Sequence, residues 1–156
     1  MEGENTGLLK DKLILAKKVQ LLASSFLCEG NSVQYTYVDE WQEMQKELAQ
    51  CMNELVRHEG NTSEEEAEIV LAILMGYTLA VRNSRHIDIA LERAERVLPV
   101  LDNSVLKCQL MAFCYAETGD EDLANNAFDL MESLKTTDVG EEIRWVEEEL
   151  ESFVSG

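Results

Sequence analysis

Residues 89–97 read IALERAERV and residues 123–131 read LANNAFDLM, and the two stretches lie 34 positions apart, with Ala90 aligned on Ala124. The segments that precede them align at the same interval, in the pairs Leu74 and Cys108, Tyr77 and Met111, Thr78 and Ala112, and Val81 and Tyr115. A pair of apolar, helix-patterned segments that recurs at such an interval is typical of stacked helical hairpins. These two stretches therefore predict two helical hairpins that pack side by side.

The rest of the chain also favours helices. Glycine occurs 8 times and Pro99 is the only proline, whereas a β-rich protein of this size uses both residues in many tight turns. We predict seven helices, over about residues 8–28, 39–58, 63–82, 87–97, 105–117, 121–134 and 141–153. Residues 32–38 alternate like a strand, but no partner strand is evident and we interpret them as an extended loop. Asp39, Ser63 with Glu66, and Asn103-Ser104 look like helix N-caps, with Ser63 and Glu66 in the capping-box relation.

We therefore expect an all-α fold in a single domain over residues 1–156. In this prediction residues 8–60 form N-terminal helices, and residues 63–153 form the hairpins and a C-terminal capping helix. The capping helix would point Ile143, Val146, Leu150 and Phe153 inward and its acidic residues outward.

The second copy of the repeat resembles the tetratricopeptide repeat. The resemblance depends on Ala112, Tyr115, Gly119-Asp120, Ala124 and Phe128. The first copy departs from the family pattern at Thr78, Val81 and Arg85, so it is degenerate. The resemblance covers about residues 67–153 and implies hairpins stacked into a superhelix, while an ordinary helical bundle is the alternative.

A tetratricopeptide superhelix has a concave groove lined by the first helix of each hairpin. By this resemblance the partner-binding groove would include Met75, Leu79, Arg82, Asn83, Leu106, Gln109, Phe113, Ala116 and Glu117. Such a mixed apolar and polar surface suits a protein or peptide partner with hydrophobic anchors. The alternative is that several of these residues pack against the N-terminal helices and belong to the core.

Small size, acidity and few degenerate repeats also look like the cytosolic chaperones of bacterial type III secretion. In that comparison the first helix, Leu8 to Leu27, could mediate a homodimer or could fold over the groove. The leading hypothesis is therefore a non-enzymatic binding protein, acting as a chaperone or scaffold in the cytoplasm.

The charge of the chain supports a different hypothesis. The formal net charge is −18. Residues 1–30 are neutral, whereas residues 117–156 carry thirteen acidic residues against Lys135 and Arg144, a net charge of −11. This balance repels nucleic-acid phosphates and anionic membranes. The alternative function is a regulatory antagonist that masks a basic surface of a nucleic-acid-binding protein, although the acidity could also serve solubility alone.

The sequence gives little support to catalysis. We find no phosphate-binding glycine loop, no G-x-S-x-G and no H-E-x-x-H. The two histidines, His58 and His86, and the four cysteines have no zinc-ligand spacing, and the cysteines sit in apolar helical patterns that predict burial. We therefore predict no catalytic residues, no metal and no cofactor. No apolar run is long enough to cross a membrane.

Overall fold

The fold is described from a computed structural model, which covers residues 38–79 and 83–155. Six α-helices occupy these ranges, and no strand occurs within them. They are α1 (Val38–Leu55), α2 (Ser63–Leu79), α3 (Ser84–Val97), α4 (Val105–Thr118), α5 (Glu121–Leu134) and α6 (Gly140–Ser155), with a short 3-10 turn at Leu98–Val100. The predicted all-α fold is confirmed. The first predicted helix and most of the 32–38 loop lie outside the described residues.

Two helical hairpins form the body of the fold. Helices α2 and α3 pack against each other, as do α4 and α5, and α2 lies beside α4. Helix α1 covers one side of α2, while α6 packs on α4 and α5. Every residue from Ile69 to Tyr77 in α2 is buried, because this stretch is apolar on all sides and can be enclosed by its neighbours.

The apolar side chains form two cores that share α4. One core joins α1, α2 and α3 with one face of α4, through residues such as Leu110 and Phe113. The other joins α4, α5 and α6, through residues such as Met111 and Met131. The half-buried Leu98 and Phe153 pack against both cores, so the two hairpins are joined by continuous apolar packing.

Most predicted helix ends agree with the structure, and the differences have local causes. Helix α3 begins at Ser84, three residues before the predicted start, because the Asn83 side chain accepts a hydrogen bond from the His86 N–H at 3.1 Å. Ser104 caps α4 as predicted, by accepting from the Lys107 N–H at 3.2 Å. Helix α4 ends at Gly119, whose φ of 67° is the left-handed conformation that favours glycine.

The predicted capping box is wrong by one residue. Thr62, rather than Ser63, caps α2, since its Oγ1 accepts a hydrogen bond from the Glu65 N–H at 3.2 Å. The Glu65 carboxylate in turn accepts from the Asn61 N–H at 2.9 Å. Glu66 instead points toward α3, where it binds Arg93. The predicted Asp39 cap is also wrong, because α1 already includes Val38.

Candidate functional site

The structure places two of the predicted groove residues in the core. Phe113 is fully buried, and its ring meets that of Phe153 edge to face with 5.3 Å between the centroids. Met75 is 7% exposed. Neither side chain is therefore presented at the surface, which agrees with the alternative that the sequence left open for these positions.

Only some of the other predicted groove residues can be placed within the part of the chain that the structure describes. Asn83 is occupied as the N-cap of α3. Gln109 and Glu117 are half-buried on α4, as are Leu106 and Ala116. Arg82 lies outside the described residues, and of Leu79 only its place at the end of α2 is described. The groove as a binding site remains a prediction.

Titratable groups in the interior are paired or shielded. The Tyr77 hydroxyl and Nδ1 of His86 are 2.6 Å apart, and burial raises the pKa of Tyr77 to about 12. Cys108 and Cys114 are buried thiols whose pKa values are raised to about 11 and about 12 by that burial. A thiol with such a high pKa is mostly protonated at neutral pH, so it is a poor nucleophile and a poor metal ligand.

Cys51 is buried as well, which confirms the predicted burial for the three cysteines within the described ranges. In residues 38–79 and 83–155 no cluster of histidine, cysteine and acidic side chains could hold a metal ion. Across the same part of the chain, no helix is long and apolar enough to span a membrane.

A concave site lies between α3, α4 and α5. Its volume is about 320 Å³. The residues that line it are Leu91, Glu92, Glu95, Leu98, Cys114, Thr118, Asp120 and Leu123. The lining combines apolar side chains with three acidic ones, so the site carries negative charge beside an apolar floor.

The outward face of α6 is acidic. Glu141, Glu142, Glu148 and Glu151 are exposed there. Helix α6 is held on the body of the fold by Ile143, Val146 and Leu150, which are all buried, as the sequence predicted. A second attachment is Lys135, whose Nζ lies 2.8 Å from Glu132 Oε1 and 2.7 Å from Glu147 Oε2.

Sequence reasoning assigned no role to Trp145, which lies on this face with 74% of its surface exposed. Helical spacing could have predicted this exposure, because Trp145 is two residues from the inward-facing Ile143 and therefore falls on the opposite side of the helix. The acidic concave site was also missed, since it combines side chains from three helices that are distant in the sequence.

Fold and surface together define a class: an acidic, all-helical protein whose outward features suit recognition of another protein. Residues 16–116 match the family model described as the UpxZ family of transcription anti-terminator antagonists, and the chain belongs to that family. A solved structure, the crystal structure of a transcription anti-terminator antagonist UpxZ from Bacteroides uniformis, superposes with a TM-score of 0.80. It is 29% identical in sequence and the match covers 93% of each chain. The comparison with curated proteins gives no match.

These findings overturn the resemblance to tetratricopeptide proteins and to type III secretion chaperones. The interval of 34 residues reports the geometry of the hairpins rather than membership of that family. Helices α3 and α5 each have 14 residues and each comes second in a helical hairpin, so hairpins built from helices of similar length give similar intervals. The small residues Ala112, Ala124 and Ala127 are buried at helix contacts, where every closely packed helix pair needs them.

The same findings make the chaperone and scaffold hypothesis wrong. The family description is that of a regulatory antagonist, which agrees with the alternative drawn from the charge of the chain. An antagonist of anti-terminators also implies a protein partner.

Proposed function

We propose that this protein inhibits a transcription anti-terminator protein by binding directly to it and masking a basic surface. Membership of the antagonist family is the observation that carries this proposal. The relative from Bacteroides uniformis is described as a transcription anti-terminator antagonist and shares the fold over 93% of both chains.

The charge of the chain supports direct binding to the anti-terminator over binding to its nucleic acid. An antagonist could in principle cover either one. A net charge of −18 repels the phosphates of DNA and RNA, and protein binding to them depends on Lys and Arg contacts. The same charge attracts a basic protein surface and accelerates the encounter with it.

The distribution of that charge supports binding through the C-terminal part of the chain. Residues 117–156 carry a net charge of −11. They include the outward face of α6, and they contribute Thr118, Asp120 and Leu123 to the acidic concave site. In this role the protein would act where transcription takes place, which in bacteria is the cytoplasm.

The experiment that tests the proposal is a transcription read-through assay in cells. A reporter gene is placed behind a terminator, and each anti-terminator protein of the source organism is expressed with and without this chain. We expect the chain to reduce read-through for at least one anti-terminator and to leave the basal read-through unchanged when no anti-terminator is present. Unchanged read-through for all of them would overturn the proposal, as would an equal reduction without any anti-terminator.

A further inference from the structure

Trp145 is an exposed aromatic side chain on a firmly packed helix. Its exposed fraction is 74%. One residue along, Val146 is only 4% exposed, and Ile143 is fully buried. Because these neighbours attach α6 to the core, the indole is held outward on a fixed support.

Carboxylates surround this indole on its own helix. Residues three and four positions apart are neighbours on a helix surface. For Trp145 all four such positions are glutamate, namely Glu141, Glu142, Glu148 and Glu149. None of the four forms an ion pair with a basic side chain of residues 38–79 and 83–155. We call Trp145 with these four glutamates the α6 patch.

The α6 patch combines two attractions for a cation. The face of an indole ring attracts Lys and Arg groups, by about 0.5–1 kcal/mol at an exposed site and more where water is excluded. The exposed Glu141, Glu142 and Glu148 add a negative potential around the ring, while Glu149 is half-buried beside them. Arg144 lies three positions from Glu141 and four from Glu148 on the same helix, so its charge offsets part of this potential, although it forms no ion pair with either glutamate.

Such a combination is typical of an interface anchor. Tryptophan is enriched among the residues whose truncation weakens protein complexes most, and those residues lie near the centre of an interface within a polar rim. An isolated exposed tryptophan has no comparable use in the stability of the monomer. A basic protein surface complements both the charge and the ring.

We propose that the α6 patch is the docking surface for the anti-terminator protein, with an arginine or lysine side chain of that partner stacked on the Trp145 indole. This inference rests on the proposed function, since it names the surface through which the antagonist binds. It identifies Trp145 as the central contact and the four glutamates as the surrounding charges.

The test measures binding of the purified full-length chain to the purified anti-terminator that it inhibits in the read-through assay. Trp145→Ala should weaken the affinity at least about tenfold, which corresponds to about 1.4 kcal/mol, while the melting curve stays unchanged. Trp145→Phe should lose less, because phenylalanine keeps an aromatic face. Val100→Ala is the matched control, since Val100 is 66% exposed but lies outside α6, and it should bind like the wild type.

Fluorescence gives a second readout at the site. Trp41 and Trp145 are the two tryptophans of the chain, so a Trp41→Phe variant makes Trp145 the sole indole. Its emission should shift to shorter wavelength or be quenched when the anti-terminator binds. Sedimentation without the anti-terminator should give the same oligomeric state for Trp145→Ala as for the wild type.

The outcomes separate the two proposals. If the wild type binds and Trp145→Ala binds equally well, the docking surface is wrong and the proposed function stands. If Trp145→Ala changes the oligomeric state seen by sedimentation and leaves partner binding intact, the patch is a self-association surface and the inference is overturned. Failure of the wild type to bind any anti-terminator would overturn both.

Discussion

Arg93 and Glu66, 27 positions apart in the sequence, form a bidentate ion pair in the interior. Arg93 donates from Nε to Glu66 Oε2 at 2.9 Å and from Nη2 to Oε1 at 2.7 Å. Arg93 also donates to the carbonyl oxygen of His58 at 2.6 Å, and Glu66 accepts from the Gly60 N–H at 3.0 Å. The pair therefore ties α3 to the start of α2 and to the loop that follows α1.

Replacement of Arg93 should destabilise the fold strongly. Arg93→Met leaves the Glu66 carboxylate in its half-buried site without a counter-ion, and removal of one partner from a buried pair costs about 3–5 kcal/mol. Arg93→Lys should lose less stability than Arg93→Met but should remain less stable than the wild type, since an ammonium group cannot make the two parallel hydrogen bonds. Urea unfolding measures the free energy of unfolding of both variants against the wild type.

Arg96→Met is the control for this prediction, because Arg96 lies on the same helix, is exposed, and acts on Glu66 through its charge without a hydrogen bond. It should change the free energy of unfolding by less than about 0.5 kcal/mol. Equal losses for the Arg93 and Arg96 variants would contradict a specific role for the ion pair.

The pH dependence of stability should carry opposite contributions from two glutamates. Burial alone would raise the pKa of Glu66, but the hydrogen bonds from Arg93 and Gly60 outweigh it, and the pKa lies below its usual 4.5. The stability that Glu66 contributes is therefore complete above about pH 4.5 and is lost as the pH falls through the lowered pKa. Burial raises the pKa of Glu149, so its ionisation opposes folding at neutral pH and this penalty disappears as the pH falls.

Two variants separate these contributions. Glu149→Gln should raise the melting temperature at pH 7, and this gain should vanish below about pH 4.5, where the carboxyl is protonated in both states. Glu66→Gln should lower the melting temperature at pH 7 and show a smaller loss at acid pH. A Glu149→Gln gain that persists unchanged at pH 4 would contradict burial as its cause.

Gly76 allows α1 to approach α2 closely. A Cβ atom on Gly76 would overlap the sulfur of Met52, which is fully buried between the two helices. Gly76→Ala should therefore destabilise the protein by about 1–3 kcal/mol through overpacking. Met52→Ala alone should cost about 2–5 kcal/mol through the cavity it leaves.

The double variant provides the decisive comparison. Met52→Ala with Gly76→Ala should be less destabilised than the sum of the single changes, because the added methyl group fills part of the cavity. Chemical denaturation of the four proteins measures this coupling. Strict additivity would show that the two residues do not meet.

Phe113→Ala should be severely destabilising rather than selectively harmful to binding. Phe113 is fully buried in the core and touches Phe153, and truncation of a buried phenylalanine costs about 3–5 kcal/mol. Thermal unfolding measures the loss, with Phe113→Leu as the milder control. A variant with normal stability would place Phe113 at the surface, as the groove prediction required.

Binding to the anti-terminator should weaken as salt is added. Screening shortens the reach of surface charges from about 10 Å at 0.1 M salt to about 3 Å at 1 M, so a contact between an acidic and a basic surface loses affinity. We expect a loss of about tenfold or more between 0.1 and 0.5 M salt, mostly in the association rate. An affinity independent of salt would indicate an apolar interface and would contradict the role of the acidic residues.

The sequence predicted the helices well because their boundaries depend on local chemistry. Helix α5 occupies residues 121–134 as predicted, and Ser104 begins α4 through its own hydrogen bond. The predicted capping box failed because Ser63 and Thr62 are both capable N-caps. Which of the two caps the helix depends on the position of the Glu66 side chain, and Glu66 pairs with the distant Arg93 instead of with the helix start.

The site was harder to predict than the fold. Burial of Phe113 and Met75 depends on which helices cover α2 and α4, which no local pattern specifies. The period of 34 residues indicated hairpins correctly but the family wrongly, because hairpin geometry is shared by unrelated proteins. Net charge, in contrast, requires no three-dimensional information, and it was the basis of the regulatory alternative, which agrees with the family.

Transcription with purified components tests whether this chain antagonises an anti-terminator by binding directly to it. The amount of read-through transcript is measured from a template with a terminator, in the presence of the anti-terminator, as the concentration of this chain rises. We predict that read-through falls to the level seen without the anti-terminator, and that added anti-terminator restores it. Read-through that does not respond to the chain, or that falls equally when the anti-terminator is absent, would contradict antagonism by direct binding.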